Sequence, residues 1–155
     1  MKSAELSQGR AFVLRLEDGD VLHECIETFC RENGVLRAHL TFTGAAEKGS
    51  LMVSGPRTPV EGKVSPFTLE LPDKCEITGA GTVFPDEDGN PVAHLHGSAG
   101  REGFSATGDF RRMVAWLVIE VAIVELIGEG PVRLESDPRL DGKLLEIRRW
   151  PPRRS

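Results

Sequence analysis

Apolar and polar residues alternate with period two along most of the chain, and the runs end on clusters of Gly, Pro, Asp and Asn, a pattern that predicts β-strands joined by turns. Phe12, Leu14 and Leu16 alternate with Val13 and Arg15 as far as the turn Glu17-Asp18-Gly19-Asp20. Leu22, Cys25, Ile26, Phe29 and Cys30 then fall at i, i+3, i+4, i+7 and i+8, a single apolar stripe that predicts a helix. Asp20 is placed to cap its start and Gly34 its end, and both cysteines read as core rather than chemistry. Leu36, Ala38, Leu40 and Phe42 alternate with Arg37, His39, Thr41 and Thr43, predicting a strand that runs into the small residues Gly44-Ala45-Ala46.

A short strand is expected around Leu51 to Val53. The Pro- and Gly-rich stretch from Ser54 to Pro66 reads as a loop that is mobile or lies over a neighbour. Phe67, Leu69 and Leu71 alternate again, Cys75 to Phe84 reads as a strand, and Pro85 to Pro91 is an acidic turn. That turn lacks the spaced oxygen ligands of a calcium loop, so it reads as a solvated hairpin tip. Met113 to Ile127 is the longest apolar run, yet it falls short of the roughly 20 residues of a membrane span and carries Glu120 and Glu125. Its β-branched content predicts a strand through the centre of a sheet.

Chemistry concentrates in the segment from Asn90 to Ala99, where His94 and His96 stand two residues apart and so point to one face of a strand. Gly100-Arg101-Glu102-Gly103 reads as a hairpin turn leading into a strand from Phe104 to Phe110. With Arg101 and Glu102 as central residues, Ser98 faces Ser105, His96 faces Thr107 and His94 faces Asp109, so His94, His96 and Asp109 converge. Two imidazoles and a carboxylate suit a divalent transition metal, with zinc, iron, nickel and manganese as candidates, and leave a position open for Lewis-acid chemistry. The competing reading is that both histidines simply hydrogen-bond their strand neighbours. Arg111 and Arg112 follow Asp109 and are placed to hold a small anionic ligand beside the metal. His23 lies beside the helix stripe and reads as a surface residue, and His39 shares its strand face with Arg37.

Composition narrows the partners. The 155 residues, 39% hydrophobic and 28% charged, predict one domain over residues 1–147 with a basic tail over 148–155. A net charge of -5 excludes attraction of the whole surface to nucleic acid or anionic lipid, so any nucleic-acid contact has to be local. The tail supplies the candidates Arg148, Arg149, Arg153 and Arg154 around Trp150, although a solvated terminus is the simpler reading. Cys25, Cys30 and Cys75 form no paired framework and suit a reducing compartment. With no apolar leader at the amino terminus and no membrane span, a cytoplasmic location is expected. Nucleophile-elbow, P-loop and dinucleotide-binding motifs are absent from the sequence.

Taken together, several segments resemble the plant-and-prokaryote-conserved (PPC) domain family. They are Arg15-Leu16 with Gly19-Asp20 before the helix, Phe29 to Gly34, Thr43-Gly44-Ala45, Glu76 to Val83, Ala93-His94-Leu95-His96, and Ile119 to Ile123. The resemblance implies an α+β fold, a mainly antiparallel and partly barrel-like sheet with one packed helix, assembled as a homotrimer, and DNA as a partner. The chain also looks distantly similar to acetolactate decarboxylase, which implies a metal-dependent enzyme acting on a small keto- or hydroxy-acid. That enzyme's third histidine, in a Gly-Gly-His step, corresponds here to Thr107-Gly108-Asp109, so the third ligand becomes a carboxylate. The minor-groove hook Arg-Gly-Arg-Pro of plant members is absent.

Overall fold

The computed structural model describes residues 1–57, 64–135, 137–139 and 142–147. Among these, ten strands and one helix follow in the order β1 (Ser7–Glu17), α1 (Leu22–Glu32), β2 (Ala38–Ala46), β3 (Leu51–Pro56), β4 (Pro66–Glu70), β5 (Cys75–Pro85), β6 (Pro91–Arg101), β7 (Phe104–Arg112), β8 (Ala115–Ile127), β9 (Pro131–Leu134) and β10 (Leu144–Ile147). Eight strands form one sheet in the order β1-β8-β2-β5-β6-β7-β3-β4, and every pairing is antiparallel. The α+β class is as the sequence predicts, but the sheet is open, with β1 and β4 as its edges. A five-residue β4 that begins at Pro66 suits an edge, because proline has no N–H to extend the ladder. The apolar run becomes β8, held between β1 and β2.

Alternation decides which face is buried. Leu40 and Phe42 of β2, Ile77 of β5, Leu95 of β6, Phe110 of β7 and Ile119, Val121 and Ile123 of β8 meet Leu22, Ile26 and Cys30 of α1 in one core. Each such apolar side chain taken from water contributes about 1.5–3 kcal/mol. The cysteines belong to this packing, and burial pushes the Cys30 thiol up to about 11. Within the core face, Phe42, Gly79, Gly97 and Gly108 stand opposite one another across β2, β5, β6 and β7. The Phe42 ring lies over Gly79 and the Phe110 ring over Gly97, with centroids 5.5 Å apart, while Gly108 makes room for the Val53 backbone.

Local details depart from the sequence reading in three places. Asp20 does not cap α1. Its carboxylate accepts from the Glu17 N–H at 2.9 Å and so closes the preceding turn, while Val21 stands at the helix start without a side-chain cap. Leu36 is exposed, since β2 begins only at Ala38, and Gly34 leaves the helix with φ of 66°. The acidic turn is not simply solvated, because Lys143 donates to Asp86 at 3.0 Å and to Glu87 at 2.9 Å. The middle of the Ser54–Pro66 stretch, residues 58–63, lies outside the described residues.

The strands β9 and β10 were not expected from the sequence. They pair only with each other, and β9 is fastened to the polar face of the large sheet. Arg37 donates its Nε–H to the Pro131 carbonyl at 3.3 Å, and Arg133 donates from Nη2 to Thr82 Oγ1 at 2.8 Å. No described helix is long and apolar enough to cross a membrane.

Candidate metal centre

Period-two geometry builds the site on β6. Leu95, Gly97 and Ala99 face the core, so His94 and His96 stand on the opposite, polar face. The β6–β7 hairpin turns on Glu102 and Gly103, both with positive φ (45° and 84°), as a type I′ turn requires. Arg101 therefore pairs with Phe104, Ser98 with Thr107 and His96 with Asp109. The expected turn at Arg101-Glu102 is displaced by one residue and the pairing by two. An even displacement keeps Asp109 on the histidine face and changes only its direct partner, from His94 to His96. Glycine at the second turn position explains the choice, because it takes left-handed φ without strain.

The three side chains converge. His94 Nε2 lies 3.2 Å from His96 Nε2 and 3.9 Å from Asp109 Oδ1, and one donor atom from each residue fits within 4.8 Å of the others. Two nitrogens bound to a tetrahedral zinc ion at 2.0–2.1 Å stand about 3.4 Å apart. The imidazole pair stands close to that spacing, which is also the distance of a hydrogen bond between the two rings. Asp109 is held in place by Arg111, whose Nη2 donates to Oδ2 at 2.9 Å and leaves Oδ1 turned towards His94. Burial, followed by the charge of Arg133, lowers the His94 pKa below its ordinary value. Its ring is consequently neutral near pH 7, the form that ligates a metal.

Around this centre the cross-strand rows are His39–Thr82–His94 and Thr41–Ala80–His96–Asp109. A shallow depression of 300 Å³ runs over Ala80 and Gly81 between His39 and the histidine pair. A wider cleft of 730 Å³ opens past His96 and Asp109 onto an apolar wall that includes Leu51, Val53 and Val64. On the other side, a cavity of 280 Å³ is lined by His94, Asp109, Arg111, Arg133 and Lys143.

The sequence-predicted residues divide accordingly. Arg111 lies at the site, whereas Arg112 is exposed opposite Leu51 of β3 and lines none of these three cavities. Arg148, Arg149, Arg153 and Arg154 lie outside the described residues. His23 is not the surface residue expected. It is largely buried, its Nδ1 has no hydrogen-bond partner, and burial lowers its pKa to about 4 against the opposing pull of Asp109. Arg133 and Lys143 were not singled out from sequence. The short alternation Pro131-Val132-Arg133-Leu134 after two glycines was the available signal, with a cation on the inward side.

The fold and site define an α+β domain, built on an antiparallel sheet, that carries a two-histidine, one-carboxylate cluster on its polar face. The Plants and Prokaryotes Conserved (PCC) domain model matches residues 3–127, and the chain belongs to that family. Among solved structures, a metal-containing protein from Archaeoglobus fulgidus is 28% identical with a TM-score of 0.79, over 94% of this chain and 99% of that one. A plant- and prokaryote-conserved (PPC) protein from Pyrococcus horikoshii is 24% identical with a TM-score of 0.80, over 97% and 100% of the two chains. A "putative DNA-binding protein" from Ralstonia eutropha is 18% identical with a TM-score of 0.67, over 88% and 90%. No curated protein matches the chain.

Proposed function

We propose that this chain is a metal-centred binding module in which His94, His96 and Asp109 hold one divalent transition metal ion, with zinc as the first candidate. The observation that carries the reading is the convergence of three donor atoms of suitable chemistry on one exposed sheet face. The similar protein from Archaeoglobus fulgidus, described as metal-containing, supports it. Three protein ligands leave a coordination position free, and a bound ion there would act as a Lewis acid towards an oxygen-bearing ligand. Arg111 fixes the carboxylate ligand, and the adjoining cavities supply room for the ligand itself. An enzyme acting on a small keto- or hydroxy-acid, as the sequence resemblance to acetolactate decarboxylase would imply, is one use of such a centre. Elemental analysis of untagged protein tests the ligand assignment. About one equivalent of transition metal is expected per wild-type chain, and affinity in Asp109→Ala should fall at least as far as the ~10–100-fold typical of losing a mere outer partner. Equal metal content and affinity in the two proteins would remove Asp109 from the site.

A second reading is favoured by the DNA-binding descriptions of the structural neighbours from Ralstonia eutropha and Bacteroides thetaiotaomicron. In it the domain is a homotrimeric regulatory module whose three basic tails, residues 148–155, contact DNA phosphates locally. Exposed apolar side chains on β1 and β8, Val13 and Leu117 among them, support self-assembly. A solution mass of three chains, with DNA binding that weakens steeply with salt and is lost on removing residues 148–155, is the expected result. A monomer whose DNA binding ignores salt and truncation would exclude this reading.

A further inference from the structure

Arg133 occupies an inward-facing position of β9 that an apolar residue would ordinarily take, and it is 4% exposed. Its guanidinium stands over the Phe84 ring, 5.6 Å from the centroid, and among the described residues donates once, to Thr82 Oγ1. Nε is enclosed without a hydrogen-bond partner, and among the described residues no carboxylate forms an ion pair with Arg133. The nearby acids are already engaged, Asp109 by Arg111 at 2.9 Å and Asp86 by Lys143 at 3.0 Å. Arginine does not escape such burial by losing its proton. A buried cation with only the distant charge of Asp109 to oppose it is costly, and an anion arriving from outside would offset that cost.

The guanidinium lines the 280 Å³ cavity that also contains His94 and Asp109, with Arg111 and Lys143 as further cations. That volume lies just under the ~300 Å³ at which pockets for drug-sized ligands begin, so it suits a ligand of a few heavy atoms. Arg111 is paired with Asp109, and Lys143 with Asp86 and Glu87, which leaves Arg133 as the cation of the lining without an ion pair among the described residues, and Asp109 in the wall opposes a dianion. A planar carboxylate also matches the guanidinium fork better than a tetrahedral anion does. We propose that this cavity binds a small monocarboxylate through Arg133, which would present the rest of the ligand to the face that carries His94 and Asp109. Its placement next to the metal ligands rests on the metal-centre reading, whereas the anion site itself does not.

Calorimetric titration of the full chain with lactate, acetate and inorganic phosphate, both stripped of metal and loaded with zinc, tests this. Lactate or acetate should bind the wild type, and Arg133→Gln should weaken binding at least about tenfold while keeping cooperative unfolding and zinc stoichiometry. Should Arg133→Gln fail to fold, Arg133→Lys keeps the charge and volume but loses the fork, and the same weakening is expected. Equal affinity in wild type and variant, tighter phosphate than carboxylate binding, or no carboxylate binding to a protein that does hold zinc would each overturn the anion site and leave the metal reading standing. Carboxylate binding through Arg133 in a protein that holds no zinc would support the anion site and remove the metal from it.

Discussion

Gly97→Ala is expected to destabilise the domain by about 3 kcal/mol or more, because the new methyl has no space and its neighbours cannot yield. A Cβ at position 97 would stand 2.5 Å from the Thr78 carbonyl oxygen and 2.8 Å from the edge of the Phe110 ring. The carbonyl belongs to the β5–β6 ladder, where Gly97 faces Gly79, so relief would require parting two interior strands. Gly100→Ala is the control: its Cβ would meet only the Phe104 carbonyl oxygen at 3.5 Å, an ordinary contact, and its effect should stay within about 0.5 kcal/mol. Urea denaturation of the two variants beside wild type measures both effects. Equal midpoints for Gly97→Ala and Gly100→Ala would show that the sheet is not packed ring against backbone as described.

His23 predicts a stability loss in mild acid of comparable size. Its folded pKa, about 4, lies below the ordinary 6.5, so between these values the unfolded chain holds a proton that the folded chain refuses. The sign follows directly: stability from the neutral ring is complete above pH 6.5, declines as the pH falls, and is gone below about pH 4. The depression corresponds to on the order of 3 kcal/mol. In metal-free protein, His23→Gln should therefore lose much less stability than wild type over that interval, with curves drawn from denaturant unfolding at successive pH values. Parallel curves for the two proteins would show that charging His23 costs the folded chain no more than the unfolded one.

Much of this architecture could be read from residue order, since a period of two reports which side of a strand is buried. The alternations around Leu16, Leu40 and Leu95 and the helical stripe from Leu22 to Cys30 all became core. The site survived an error of register for a physical reason. Choosing Glu102-Gly103 over Arg101-Glu102 moved the pairing by two residues, and an even shift leaves His94, His96 and Asp109 on one face. What escaped depends on contacts distant in sequence. His23 looked peripheral because the helix stripe passes beside it, yet the helix lies where Asp109, Arg111 and His94 act upon it electrostatically. Arg133 sits in a four-residue strand whose brief alternation is a weak signal, and its burial arises only when β9 is fastened to the polar face by Arg37 and Thr82.

If this polar face holds a metal ion, titrating chelator-stripped protein with zinc by calorimetry shows it most directly. Wild type should bind about one equivalent per chain, with proton release that grows as the pH falls towards the histidine range, and His94→Ala with His96→Ala should bind none at that site while unfolding as cooperatively as before. A wild-type protein that binds neither zinc nor iron, nickel or manganese, or a double variant that binds zinc as the wild type does, would contradict it.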